Sequence, residues 1–243
     1  MTAPILILGG SGGIGTALAE RLVARGRSVH LLARNRDRLD RVSKRLGGVP
    51  VTACDVTDVD ALRGTADVIA AEDGLAGLAY CVGSIVLKPL RRLTVDDLLD
   101  AYRLNAIGAA VAVQAAEKAL RAAHGSVVLF STVAAGSGFP NHTPIAMAKG
   151  AVEALTRSLA ADLSPDVRVN CVAPSLVNTP LAAALTSNEP LAKSIAALHP
   201  LQRLGEADDV AAAAAFLLGP ESGWITGNVI PVDGGRASVR TKG

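Results

Sequence analysis

The chain has 243 residues, half of them apolar, with 24 basic against 22 acidic side chains and a formal charge of +2. That near-balance supplies no basic stripe for a nucleic-acid backbone, and aromatic residues at 2% leave no stacking platform for single strands. No apolar run approaches the roughly 18 residues a membrane span needs, so neither nucleic acid nor membrane is an expected partner.

In chain order, short apolar runs alternate with longer helical patterns, the signature of βα units around a parallel sheet. Strands are expected at 4–8, 28–33, 49–53, 76–82, 125–130, 166–172 and 227–231, and helices at 13–25, 36–46, 58–72, 94–122, 144–163 and 206–218. The length suits one core, so the expectation is a single domain over 1–243: an α/β fold with a doubly wound parallel sheet of about seven strands and helices on both faces. Met1-Thr2-Ala3-Pro4 runs straight into the first strand without a charged leader or cleavage site, which points to a cytoplasmic protein. The segment 174–200 is long for a βα connection and carries Pro174, Pro180, Pro190 and Pro200, so it is read as a substrate lid. Its only charged residues are Glu189 and Lys193, which implies an apolar pocket. The tail 236–243 lacks an apolar pattern and is expected to be mobile. Cys54, Cys81 and Cys171 each lie in or at the end of a strand-like run and read as buried, reduced thiols. His30, His124, His142 and His199 show no ligand spacing, so no metal is expected.

Gly9-Gly10-Ser11-Gly12-Gly13-Ile14-Gly15 directly follows the first strand and opens the first helix. Amides in such a turn converge at a helix N-terminus, where the dipole favours phosphate. A glycine cluster alone is also a flexible turn; the order strand, turn, helix makes it a phosphate site. The positions of Gly9, Gly13 and Gly15 resemble the Thr-Gly-x-x-x-Gly-x-Gly pattern of the short-chain dehydrogenase/reductase family, with Leu8 in place of the threonine.

The resemblance continues over nearly the whole chain and implies a Rossmann-type fold. Asp55-Val56 is similar to the pair that contacts adenine, and Cys81-Val82-Gly83 stands where the family has Asn-Ala-Gly. Asn105, in Leu104-Asn105-Ala106, resembles the active-site asparagine; otherwise it is a helix-surface amide. Val169-Asn170, Pro174, Thr179 (where a hydroxyl helps hold the nicotinamide carboxamide), Gly227 and Asp233-Gly234-Gly235 follow in family order. The cofactor contacts implied are thus Gly9, Ser11, Gly13, Ile14, Gly15, Arg34, Asp55, Val56, Gly83, Lys149, Pro174 and Thr179.

An acidic residue at the end of the second strand would favour NAD(H) and repel a 2'-phosphate. Here Ala33 is followed by Arg34, whose guanidinium forks onto phosphate, so NADP(H) is preferred over NAD(H). The competing reading makes Arg34, Arg36, Arg38 and Arg41 a solvated helix face.

By resemblance, the chemistry needs a hydroxyl, a tyrosine, a lysine and a supporting asparagine. Lys149 in Ala146-Met147-Ala148-Lys149-Gly150 fits the lysine, and Thr132, after Ser131, takes the serine position. The Tyr-x-x-x-Lys spacing leads to Ile145, which can neither give nor take a proton; Tyr80 and Tyr102 match no family position. His142 sits at the longer Tyr-x-x-x-x-x-x-Lys spacing of an enoyl-reductase branch, and histidine titrates nearer neutrality than a free phenol. Alternatively, Thr143 caps the next helix and Pro144 is its first residue.

Two functions therefore stand. One is an NADP(H)-dependent oxidoreductase of a small carbonyl, alcohol or activated alkene, with Asn105, Thr132 and Lys149 in the site and His142 or water as proton donor. The other is a non-catalytic NADP(H)-binding protein. The family also implies a homotetramer or homodimer that pairs the helices 94–122 and 144–163 across one two-fold and the last strands across another.

Overall fold

A computed structural model describes residues 3–240. The chain runs β1 (Ile5–Leu8), α1 (Gly13–Ala24), β2 (Val29–Ala33), α2 (Arg36–Arg45), β3 (Val51–Ala53), α3 (Val59–Asp73) and β4 (Gly77–Tyr80). It continues through α4 (Val95–Tyr102), α5 (Gly108–Ala122), β5 (Ser126–Phe130), α6 (Val133–Gly136), α7 (Thr143–Leu163) and β6 (Arg168–Pro174). After β7 (Val177–Asn178), α8 (Ala183–Thr186), α9 (Glu189–Ala197), β8 (Gly205–Glu206) and α10 (Ala207–Leu218), it closes on β9 (Val229–Val232).

Seven strands form one parallel sheet in the order β3-β2-β1-β4-β5-β6-β9. Its central strands β1, β4 and β5 read as near-continuous apolar runs because both faces are covered there, whereas the edge strands β3 and β9 are only partly buried. Leu6, Leu8, Leu78, Tyr80, Val127 and Leu129 pack under α3, α5 and α7, while Ile5, Ile7, Ala79, Val128 and Phe130 pack under α1, α2 and α10. Strand order reverses between β1 and β4, and the loops leaving the carboxyl ends there are where such sheets bind ligands.

Three expectations need correction. The single helix expected at 94–122 is interrupted by a π-helical turn at Arg103–Ile107. Two side-chain donors take carbonyls at this turn: Asn105 Nδ2 donates to Ala101 O at 2.8 Å, and the Tyr80 hydroxyl donates to Leu104 O at 2.7 Å. Such turns recur at functional sites. The segment 174–200 is no plain loop, since β7 pairs with β8 and α8 and α9 fill most of the rest. Asn188 caps α9 by accepting from Leu191 N, and Pro190 occupies its first turn, as it can without loss of a helical hydrogen bond. The tail is hydrogen-bonded from Arg236 as far as Val239, with Asp233 accepting from the Gly235 and Ala237 amides; residues 241–243 lie outside the described chain.

Candidate active site

Two cavities meet at the carboxyl ends of β1 and β4, sharing Cys81, Val82, Gly83, Thr179 and Leu181. The first, about 790 Å³, runs from the glycine turn across the ends of β2 and β3. The turn closes only with glycine at two points. Gly9 has φ +78°, and a Cβ on Gly15 would lie 2.3 Å from the Gly9 carbonyl oxygen. The first-turn amides of α1 have no intrahelical acceptor, so they remain for a ligand. Gly9, Ser11 and Gly13 line this cavity, with Ile14 lining the second.

Arg34 lines the first cavity together with Arg38, Arg41 and Arg45 of α2. The spacing 38, 41, 45 puts three of them on one face of α2, which Arg34 joins from just ahead of the helix, whereas Arg36 points elsewhere and pairs with Asp40 at 2.9 Å. Part of the arginine run is therefore solvated face and part is cavity wall. Val56 lines the wall. Asp55 does not; its Oδ1 accepts from the Thr57 amide at 2.9 Å and hydroxyl at 2.8 Å, and these bonds hold its carboxyl below the usual range. Arg34 Nη1 lies 3.9 Å from Asp55 Oδ2.

The second cavity, about 380 Å³, gathers Thr132, His142, Ile145, Lys149, Pro174 and Thr179. Lys149 is buried and donates from Nζ to the Phe130 carbonyl at 2.8 Å; burial pushes its ammonium down to about 8. Ile145 stands one turn before it, buried against the same cavity. Ser131 spends its hydroxyl on Glu153 at 2.8 Å, while Thr132 Oγ1 caps α6 by accepting from Ala134 N at 3.3 Å. Asn105 is buried with Oδ1 unpartnered among the described residues. A Cβ on Gly83 would lie 3.2 Å from that oxygen and 3.3 Å from Lys149 Nζ, so this glycine leaves the two polar groups facing a common gap. An orphaned buried acceptor, a lysine ammonium and open helix-end amides fit the ribose, amide and phosphates of a dinucleotide.

His142 occupies the cap position of α7, one residue earlier than the Thr143 expected, and Pro144 is the second helical residue. Its Nδ1 lies 2.7 Å from the Pro140 carbonyl. A carbonyl only accepts, so Nδ1 carries hydrogen and Nε2 is the free edge. Tyr80 lies buried beneath the π turn, with burial pushing its phenol up, and Tyr102 is on the surface; neither lines the cavity.

Two features escaped the sequence. Arg236, from the turn after β9, lines the second cavity. His199 ties the lid's ends together, Nε2 to Ser175 Oγ at 2.8 Å and Nδ1 to Ile195 O at 2.9 Å. The arginine spacing on α2 was a readable signal; for Arg236 and His199 no local pattern gives the pairing.

The three thiols are free, and Cys54 and Cys171 are buried. No metal-ligand cluster occurs among the described residues, and no described helix is long and apolar enough to cross a membrane.

Fold and site together define a nicotinamide-type oxidoreductase scaffold, and the chain belongs to the short-chain dehydrogenase/reductase family. A family model described as enoyl-(acyl carrier protein) reductase matches residues 9–237. A chloroplastic tropinone reductase homologue of Arabidopsis thaliana is 34% identical over 241 residues, covering 95% of this chain and 74% of the relative. Carbonyl reductase family member 4 of Danio rerio is 32% identical over 239 residues, covering 97% and 98%. Among solved structures, a short-chain type dehydrogenase/reductase of Mycobacterium ulcerans superposes with a TM-score of 0.91 at 31% identity, covering 99% of this chain and 92% of its own. ElxO with NADP bound also gives 0.91, at 27% identity over 98% and 100%.

Proposed function

We propose that the protein is an NADP(H)-dependent oxidoreductase acting on a small carbonyl, alcohol or activated alkene. The observation that carries this reading is the cavity wall of Arg34, Arg38, Arg41 and Arg45 beside a glycine turn, with no acidic residue at the end of β2. A 2'-phosphate would meet guanidinium groups there and no carboxylate suited to the ribose diol.

When bound, the nicotinamide gives or takes the hydride. The chain's own groups do the rest. Lys149 grips the nicotinamide ribose, with Gly83 leaving it room, and Asn105 Oδ1 accepts from a bridging water. Pro174 and Thr179 wall the nicotinamide, and the glycine turn with Ile14 receives the pyrophosphate. Asp55 and Val56 flank the adenine, with Val56 in contact and Asp55 acting through its bonds to Thr57 and its pairing with Arg34. Thr132 donates to the substrate oxygen, and the proton comes from His142 or from water, since Ile145 has none to give.

The protein is read further as a cytoplasmic homotetramer or homodimer. Val95, Leu99 and Tyr102 are exposed at helical spacing on α4, Met147 is exposed on α7, and Trp224 is fully exposed ahead of β9. These apolar side chains lie on the elements expected to pair.

The test is calorimetric titration of NADPH and NADH into the purified protein and into Arg34→Ala. NADPH should bind about tenfold tighter, a difference of ~1.4 kcal/mol, and the substitution should erase most of it. Equal affinities in the unaltered protein would remove the argument.

A further inference from the structure

We propose that Arg236 is a substrate anchor, so that the second cavity takes an apolar carbonyl compound bearing a carboxylate. The inference rests on the oxidoreductase reading and narrows its substrate class. Beyond Ile145 the cavity is walled by Ile85, Leu87, Leu181, Leu185 and Ile195, which alone would select a plain hydrocarbon chain. Arg236 breaks that wall. It is not stray surface charge, because Asp233 fixes the turn that carries it by accepting from the Gly235 amide at 2.9 Å and the Ala237 amide at 2.8 Å.

The guanidinium is positioned on two sides. Nη1 donates to the Leu198 carbonyl at 2.9 Å, at the end of the lid, and the group lies 5.3 Å from the Phe139 ring centroid. Among the described residues it has no carboxylate partner, whereas Arg21, Arg36, Arg45, Arg121 and Arg203 each have one. A half-buried cation with one edge uncommitted gains most from a planar anion that accepts from two N–H groups at once. A carboxylate has that shape and a single charge, while a phosphate would bring nearly two. Lys149 does not compete for it, being deeper, bonded to the Phe130 carbonyl and taken, in the oxidoreductase reading, by the nicotinamide ribose.

Two probes of one skeleton test this: 4-oxo-4-phenylbutanoate and its methyl ester, each assayed for NADPH-dependent reduction and, separately, for binding to the NADPH complex by saturation-transfer NMR. The acid should be preferred about tenfold or more in kcat/KM. Arg236→Gln keeps a donor for the Leu198 carbonyl but not the charge, and it should bring the acid-to-ester ratio close to one; Arg236→Lys should retain part of it. If Arg236 merely clamps the lid, acid and ester lose equally and the ratio survives in Arg236→Gln, which overturns the proposal. So does a ratio near one in the unaltered protein. If neither probe is reduced, the binding experiment still decides. An acid preference that depends on Arg236 supports the anchor while the oxidoreductase reading falls, and equal or absent binding of both probes overturns the anchor.

Discussion

Replacing Ile145 by tyrosine should turn a weak catalyst into a stronger one. Ile145 is 5% exposed and lies one helical turn before Lys149, on the same side of α7. Its side chain borders the cavity of about 380 Å³, so a phenol ring extends into open space as well as into packing, and the cost falls at the low end of the ~1–3 kcal/mol usual for overfilling a core. A positioned general acid contributes about 10²- to 10⁴-fold. A pocket shaped around isoleucine forfeits part of that, which leaves roughly tenfold or more in kcat/KM. Burial sets the Lys149 pKa at about 8, so below that pH the lysine is charged and lowers the new phenol's pKa; above it the help fades. The gain should therefore be larger at pH 7 than at pH 9. The assay is NADPH consumption with an activated diketone, with His142→Ala as the companion variant. No gain from Ile145→Tyr, together with lost activity in His142→Ala, would refute the idea of a vacant acid position and assign the proton to His142. If neither change moves a background rate while NADPH still binds, the protein is a cofactor-binding protein without turnover.

Tyr80→Phe should destabilise the fold by about 1–2 kcal/mol, because the Leu104 carbonyl loses its donor, and a protein of this size should melt roughly 2–4 °C lower per kcal/mol. It should also lower kcat, since the π turn that presents Asn105 loses a tie; an unchanged melting temperature would contradict this. Lys149 releases its proton near pH 8 in the folded state against 10.5 when exposed, so between those values the unfolded chain binds more protons and stability rises with pH. Calorimetry should show the unaltered protein gaining on Lys149→Met as pH climbs from about 8, with the full burial penalty present below it; a constant difference would be inconsistent with that shift. Light scattering at micromolar concentration should give a dimer or tetramer, reduced in mass by Val95→Asp with Leu99→Asp; a monomeric unaltered protein would refute the interface on α4.

The sheet was legible because its central strands are buried on both faces, so Ile5–Leu8, Gly77–Tyr80 and residues 127–130 read as apolar runs between turn residues, while the edge strands β3 and β9 are only partly covered. The glycine turn and Lys149 were legible because their geometry depends on residues close in sequence. The π turn was not, since what marks it is a hydroxyl from Tyr80, on a distant strand, reaching Leu104. The lid helices were half legible: Asn188 and Pro190 carry a helix start, but four prolines within 174–200 carry the pattern of a loop. Arg236 looks like tail in the sequence because its order comes from Asp233 side-chain bonds, which no apolar periodicity announces.

The bond between Ser175 and His199 draws the two ends of the lid together just beyond the carboxyl end of β6. An excursion closed at its base tolerates a change of length cheaply, because the entropy of closing a loop grows only with the logarithm of its length, about 0.6 kcal/mol for each doubling. Residues can be added, removed or exchanged across α8 and α9, beyond the β7 pairing with β8, without changing the register of β6 against β9. The part of the substrate wall supplied by Leu185 and Ile195 is thus free to change while Thr179 and Pro180, at the start of the lid, stay with the cofactor cavity, and the bond from His199 to Ser175 marks the base of that freedom.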